Sequence, residues 1–404
     1  MARRHEFRPG NWESAAVRVD EIISAHSGED PFEEALKLLV AKLAHESSSA
    51  ADAPFLSQQP HTGAAHEVNR LLASAGERWR GILDPGAEIR LSEPEIARCA
   101  AVLGEVRLLA EDLVGLDSIF EFMVNKAAKG QKGQYFTPRH VIAEVVKMVR
   151  PTAGERVLDP ACGSGGFLCH ALRHEPRCSA WGFDQDARAV RVARVMMAAS
   201  GQPATRIQRG DSLRRPACRS ATQSAPLIEE LMRQQEPAFP GFDVILTNPP
   251  FAGDVGAEYA RCYELARGRR VERDVLFVER CVELLRPGGR LAMILPYNKV
   301  GGASWAYLRS WLLLQVRVVA VLGLGRNTFQ PHTGQKACVV IGIRRPQSMP
   351  QQLDEDILFF ISEKEGKDHR GRLSYAADGR TVTHDLGEAT PLVRRRFADL
   401  GQEA

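Results

Sequence analysis

The tetrapeptide Asn248-Pro249-Pro250-Phe251 follows directly on the apolar run "VILT". Its two prolines remove two backbone donors, and the first drives Asn248 out of the α region towards an extended conformation. The Asn248 side-chain oxygen and the Pro249 carbonyl then form a stiff pair of acceptors. Such a pair suits an exocyclic aromatic amine, whose lone pair is delocalised into its ring and must be localised before it can attack an electrophile. Phe251 offers a ring face on which an extruded base can stack, worth roughly 1–3 kcal/mol towards the cost of extrusion. The plainer alternative is a proline-rich turn that simply ends a strand.

Upstream, "RVLDPACGSGGFLCHAL" (Arg156 to Leu172) reads as a strand, a glycine-rich turn and a helix. Glycines at 163, 165 and 166 permit a sharp turn and a close ligand approach. The spacing is neither G-x-x-x-x-G-K-[ST] nor G-x-G-x-x-G, so a phosphate-cradling role is disfavoured. Asp184 ends the next strand about twenty residues on, where a carboxylate accepts hydrogen bonds from both ribose hydroxyls. Asp211 follows the third strand and suits the exocyclic amine of a purine. These positions fit a nucleoside cofactor held without a phosphate clamp, against the alternative of an ordinary tight turn between strand and helix.

Composition narrows the setting. The chain has 404 residues, 44% hydrophobic and 25% charged, enough for two domains with substantial cores. No apolar run approaches the ~20 residues that span a bilayer, and "MARRHEFRPG" has no apolar segment behind it. A cytoplasmic protein with no membrane partner is expected. Eight cysteines are scattered without C-x-x-C or zinc-ligand spacing, so buried reduced thiols and no metal site are expected. Lys plus Arg (53) barely exceeds Asp plus Glu (50), so any nucleic-acid surface must be local. Candidate patches are "ARGRRVER" (Ala266 to Arg273), Arg214-Arg215 and Arg394 to Arg396, each of which also reads as an ordinary solvated face.

The elements that must position these residues fall into two textures. From Trp12 to about Lys129 the pattern is helical, with "PFEEALKLLVAKLAHE" (Pro31 to Glu46) and a helix predicted over Glu93 to Leu113. From Gly154 onward, strand patterns at Arg156–Asp159, Ala180–Asp184, Thr205–Gln208, Phe242–Thr247, Arg290–Leu295, Val316–Leu322 and Ala337–Ile343 alternate mostly with helical ones, notably Ala187–Ala199, Asp274–Leu285 and Ala303–Leu314. Such alternation predicts a doubly wound, mostly parallel α/β sheet with its site at the carboxyl ends of the strands. The expected domains are a helical region over 1–130, a catalytic domain over 131–345, and a short tail over 346–404 carrying the run "DILFFIS" and a charged helix.

Taken together, these motifs resemble the amino-methylating, S-adenosylmethionine-dependent DNA methyltransferases, in which N-P-P-[FY] is the catalytic signature. More narrowly they resemble the N-6 adenine DNA methylases and the modification subunits of type I restriction systems. "GQYFTPRHVI" (Gly133 to Ile142), "LDPACGSGGFL" and "DVLFVERCVELLRPGGRLAMILP" (Asp274 to Pro296) carry that likeness. It implies a seven-stranded class I methyltransferase sheet and transfer of a methyl group to the N6 amine of a flipped adenine in double-stranded DNA. It places Gln134, Tyr135, Phe136, Thr137, Pro138, Arg139, Asp159, Ser164, Gly165, Gly166, Asp184 and Asp211 on the cofactor side. Asn248, Pro249, Pro250 and Phe251 take the adenine, with Phe329 as a second aromatic wall or else a core residue. Cys162 and Cys169 are not nucleophiles on this reading, since amine methylation needs no covalent enzyme intermediate.

The resemblance also implies partners: a specificity subunit, because only about sixty residues follow Ile343 to build a sequence reader, and a separate restriction subunit where the system cleaves. The helical N-terminal region would close a clamp on DNA or contact another subunit, and the tail would contact the specificity subunit. Two other readings stand beside this one. N-P-P-[FY] also serves methyltransferases of RNA guanine or of protein glutamine, against which "GQYFTPRH" argues. A non-catalytic scaffold that binds DNA or a partner is opposed by the intact Asn-Pro-Pro-Phe and glycine-rich turn.

Overall fold

The computed structural model describes residues 12–26, 28–48, 54–56, 62–109, 123, 137–216, 227–251, 253, 255–346, 355–378 and 381–401. They belong to two compact units, the first made from Met1–Gln131 and Asp186–Ile207, the second from Lys132–Gln185 and Gln208–Ala404. Among the described residues the helices with eight or more residues are α1 (Trp12–His26), α2 (Pro31–Glu46), α3 (Ala64–Arg78), α4 (Glu93–Leu103), α5 (Arg139–Val149), α6 (Gly166–His174), α7 (Ala187–Ala199), α8 (Ile228–Gln235), α9 (Arg273–Leu284), α10 (Ala306–Gln315) and α11 (Leu386–Asp399).

In the first unit α2 begins where the sequence places it. Asp30 caps it by accepting from Phe32 N at 2.9 Å, Pro31 fills the first turn, and Glu33 and Glu34 sit at its positive end. A capping box closes the start of α4, with Ser92 N donating to Glu95 Oε2 at 2.7 Å. That helix stops at Leu103, short of the predicted Leu113. The amides of Leu108 and Leu109 instead donate to the Glu46 carboxylate of α2, at 2.8 and 2.9 Å to Oε2. A charged acceptor has outbid the helical carbonyls, and residues 110–113 lie outside the described set. Although α7 lies between two strands in sequence, it belongs to this unit, where Arg188 pairs with Asp30 at 3.1 Å and Arg191 pairs with Glu33 and Asp84.

Among the described residues the second unit is built on one sheet of eight strands, in the order β3-β2-β1-β4-β5-β7-β6-β8. The strands are β1 (Arg156–Asp159), β2 (Ser179–Asp184), β3 (Ile207–Arg209), β4 (Phe242–Thr247), β5 (Leu285–Pro296), β6 (Val316–Leu324), β7 (Ala337–Arg344) and β8 (Leu358–Ile361). The pairings β1–β2, β1–β4 and β4–β5 are parallel, whereas β7 runs antiparallel between β5 and β6. Strand β4 is buried along its whole length, as the run "FDVILT" requires of a central strand covered on both faces. The eighth strand, beyond the expected seven, comes from the stretch read as a tail and pairs in parallel with β6. That stretch is part of this unit. Thr390 of α11 donates to Glu144 of α5 at 2.7 Å, and His384 stacks on His140 with centroids 5.1 Å apart.

Arg280 of α9 is completely buried and spends all five donors. Nε donates to Ser212 O at 2.8 Å and Nη2 to Arg214 O at 3.0 Å, while both Nη atoms grip the Glu229 carboxylate at 2.6 and 2.8 Å and Nη1 also meets Glu283 at 3.2 Å. This side chain ties the loop after β3 to two helices. Arg280→Ala strands a carboxylate and two carbonyls, so it should cost about 3–5 kcal/mol in urea unfolding. Removal of the exposed Arg233 side chain on α8 should change stability by less than about 0.5 kcal/mol.

Candidate active site at the strand ends

Pairing β1 with β4 in parallel, Val157 beside Val244 and Leu158 beside Ile245, brings the turns that follow the two strands to one edge of the sheet. Strand order reverses between them, β2 and β3 lying on one side and β5 on the other, which is the crevice where doubly wound sheets take ligands. Thr247, last in β4, donates its hydroxyl to Asp159, last in β1, at 2.7 Å. The glycine-rich turn and Asn-Pro-Pro-Phe are thereby fastened together at their roots.

After β1 the chain folds back on itself. Ala161 N donates to Asp159 Oδ1 at 3.0 Å, Cys162 N to Phe183 O at 3.0 Å, and Gly165 N to Cys162 O at 2.8 Å. Gly163 and Gly165 have φ of 51° and 91°, conformations that residues with a Cβ seldom adopt. A Cβ on Gly163 would meet nothing within 4 Å, so the turn faces open space, whereas one on Gly166 would press on Ile142 of α5 at 3.0 Å. Ser164 is buried. At the end of β2, Asp184 accepts from Gly163 N at 2.9 Å, and its carbonyl accepts from Gly210 N at 2.9 Å. Ser212 donates to Pro160 O at 2.6 Å. The turns after β1, β2 and β3 are thus laced into one rim.

Two acids depart from the simple expectation. Asp159 is 2% exposed and spends Oδ1 on Thr247 and Ala161, so it organises the turn from beneath. Asp211 lies on the rim, but Leu213 N donates to one of its carboxylate oxygens at 3.0 Å and the Tyr259 hydroxyl to the other. A purine amine reaching Asp211 must share it with Tyr259, a residue that carried no sequence signal. Cys162 is buried and its thiol is pushed up by burial and by Asp184 and Asp159, in keeping with a structural role. All seven described cysteines are free thiols.

Across the crevice, Asn248 is half-buried and its Nδ2 donates to Thr137 Oγ1 at 3.0 Å. Thr137 directly precedes Pro138, which caps α5, and Arg139 is the first residue of that helix. Gln134, Tyr135 and Phe136 lie outside the described residues. Phe251 and Phe329 are both buried and meet edge to face, with centroids 5.7 Å apart and planes at 74°. Phe329, read from the sequence as a second aromatic wall or else a core residue, is buried and packs on Phe251 itself. The Phe329 loop is held by the segment after β8. Glu365 accepts from Asn327 N, and Lys367 Nζ donates to Gln330 O at 3.0 Å.

A seven-strand order of this kind, with β7 reversed and β8 added at its edge, is the fold of the class I S-adenosylmethionine-dependent methyltransferases. A type I restriction-modification methyltransferase subunit from Streptococcus thermophilus has it too, with a TM-score of 0.63, 16% identity, and coverage of 96% of this chain and 93% of that one. A chain from a type I restriction-modification system in complex assembly gives a TM-score of 0.59 at 19% identity, covering all of this chain and 86% of that one. Over residues 110–377 the chain matches N-6 DNA Methylase, and it belongs to that family. The type I StySPI methylase subunit of Salmonella potsdam is 27% identical over 255 residues, 58% of this chain and 45% of that protein. The EcoKI methylase subunit of Escherichia coli is 26% identical over a stretch of the same size. The chain spans about half the length of these curated relatives.

The buried Asp159 makes a pH prediction. Burial, opposed by the bonds from Thr247 and Ala161 and reinforced by Asp184, raises its pKa to about 7 from 3.8. The folded chain therefore holds a proton that the unfolded chain has released, and the stability this gives is complete below pH 3.8 and lost as pH rises to about 7. Asp159→Asn keeps both acceptor bonds and cannot ionise. Its advantage over wild type in urea unfolding should grow between pH 5 and pH 8; a gap independent of pH would contradict this assignment.

Proposed function

We propose that the chain transfers a methyl group from S-adenosylmethionine to the N6 amine of an adenine flipped out of double-stranded DNA, as the modification subunit of a restriction-modification system. The observation that carries this reading is the parallel β1–β4 pair, which sets the glycine-rich turn beside Asn248-Pro249-Pro250-Phe251. The open space before Gly163 and the Asp184 carboxylate fit a nucleoside whose ribose is read by an acid. Ser164, Gly165 and Gly166 shape that turn, Asp211 faces the purine end, and Thr137 to Arg139 close the other. When bound, S-adenosylmethionine supplies a methyl group activated by its sulfonium.

The remaining work falls to the protein. Thr137 takes the Asn248 amide nitrogen, which leaves Oδ1 as the acceptor for an incoming amine. Asn248 Oδ1 and the Pro249 carbonyl accept its two N–H bonds, so the nitrogen lone pair leaves conjugation and points at the electrophile. The rigid Pro249-Pro250 unit holds these acceptors without reorganisation, the condition under which oriented dipoles contribute most. Phe251 stacks on the base, offsetting part of the few kcal/mol that flipping costs. Phe329 fixes the Phe251 ring from the side.

Sequence reading belongs to a separate specificity subunit on this proposal, with the first unit helping to hold DNA or a second chain, and cleavage, where it occurs, carried by a restriction subunit. Such a complex works in the cytoplasm, and among the described residues no helix is long and apolar enough to cross a membrane. The test is transfer of labelled methyl groups to DNA with and without the specificity subunit, followed by nucleoside analysis. Label is expected in N6-methyladenine; label in 5-methylcytosine, RNA or protein would overturn the reading. Asn248→Ala should lower the rate at saturating cofactor by about 100-fold or more. Thr137→Val should also slow the reaction while Thr137→Ser retains most of it.

A further inference from the structure

Beyond Asn-Pro-Pro-Phe the chain enters a stretch whose anchoring and charge are at odds with an ordinary surface loop. Tyr263 is completely buried; its hydroxyl donates to Leu213 O at 2.6 Å, and the Arg215 guanidinium lies 3.9 Å over its ring. Glu279 of α9 accepts from Glu264 N at 3.0 Å and Leu265 N at 2.9 Å, and pairs with Arg215 at 3.1 Å. Leu265, Ala266 and Val271 are buried in the core. Between those anchors Arg267, Gly268, Arg269 and Arg270 form an exposed turn, closed by Arg269 N donating to Ala266 O at 3.1 Å, with Gly268 at φ 66°. The turn is bolted at both ends and offers only guanidinium groups.

The charge on Arg267 and Arg269 is not neutralised locally among the described residues. The two carboxylates between Arg261 and Arg273 are engaged elsewhere, Glu264 by Trp311 Nε1 at 3.0 Å and Glu272 by the buried Lys299. Among the described residues no carboxylate pairs with Arg261, Arg267 or Arg269. Arg269 is instead supported by Tyr307, 4.4 Å below its guanidinium. The same stretch reaches the catalytic loop, because Arg273 lies along Gly253, where a Cβ would come within 3.1 Å of its Cδ. None of the exposed large hydrophobic side chains among the described residues falls between 255 and 290, so the patch lacks the apolar anchors that a protein interface needs.

We infer that Arg267, Arg269 and Arg270 form a phosphate clamp that grips the DNA backbone flanking the flipped base. The inference rests on the reading of the chain as a DNA methyltransferase and adds to it the surface that holds the strand. A guanidinium fork matches phosphate oxygens two at a time, and a turn already fixed in place loses little freedom on binding. Contacts of this kind set register and affinity and carry no base preference.

The experiment compares wild type with the triple variant Arg267→Gln, Arg269→Gln, Arg270→Gln, titrating a fluorescent duplex at a series of salt concentrations. Each lost phosphate contact should reduce the slope of log affinity against log salt by about 0.9, so the triple variant should lose about 2–3 from the slope and bind more weakly at low salt. Binding of S-adenosylmethionine should be unchanged, and the corresponding triple lysine variant should recover most of the slope. The single variant Arg267→Gln, with an expected slope loss of about 0.9, serves if the triple variant does not fold. A variant with the wild-type slope and affinity overturns the clamp while leaving the methyltransferase reading intact. Unchanged DNA binding with loss of specificity-subunit binding overturns it in favour of a protein contact. A wild-type chain that binds no duplex at any salt overturns the clamp, whereas the methyltransferase reading falls only if no label reaches N6-methyladenine with the specificity subunit present.

Discussion

The hydrogen bond from Thr247 to Asp159 is the constraint on which the rest of the site depends. Parallel strands need a long crossover between them, so residues 88 positions apart in the chain reach one point only because the sheet is wound around the β1–β4 pair. Once those strands are adjacent, the turn after β1 and the turn after β4 must emerge side by side. The proposed methyl transfer needs this arrangement, since its gain would come from holding two reactants in line more than from any covalent help by the protein. Burying Asp159 to make that bond leaves a carboxyl that prefers its proton, a local cost accepted to fix the geometry.

Around that pair the molecule invests in rigidity. Arg280 of α9 clamps the loop after β3, Arg215 of that loop pairs with Glu279 of α9, and the segment after β8 grips both α5 and the Phe329 loop. His140, the second residue of α5, takes part through Glu365 O at 3.0 Å. Burial and the neighbouring His384 push its pKa down to about 4, so it stays neutral and packs without a charge to solvate. What began as a tail in the sequence therefore acts as a strap that fixes Thr137, through its helix, and Phe251, through Phe329. On the proposed function, aromatic and amide groups that present one orientation to a flipped base gain from such support.

Much of the sheet was legible because its strands carry periodic or continuous apolar runs bounded by glycine and proline. Strands β1 and β4 and helix α7 fall on their predicted residues, and the chemistry-bearing turns follow β1, β2, β3 and β4 as read. What escaped was set by tertiary contacts that leave no periodic trace. The Glu46 carboxylate cut α4 short by taking amides that a longer helix would have used. Arginines 188 and 191 drew α7 to the first unit through acids more than a hundred positions away. Tyr259 reached Asp211 from the four-residue helix Ala257–Ala260, and Phe329 met Phe251 edge to face, because neither hydrogen-bond partners nor ring orientation are encoded in local spacing.

The central claim is that one crevice holds cofactor at the glycine-rich turn and the target amine at Asn248, as separable functions of adjacent strand ends. Titration calorimetry of S-adenosylmethionine into three proteins tests it most directly: wild type, Gly165→Val and Asn248→Ala. Gly165 has φ of 91° at the start of α6, where a β-branched side chain is strained and intrudes on the turn. Wild type and Asn248→Ala should bind the cofactor with similar affinity, and Gly165→Val should show no heat of binding. Tight binding by Gly165→Val, or its loss in Asn248→Ala, would contradict the account.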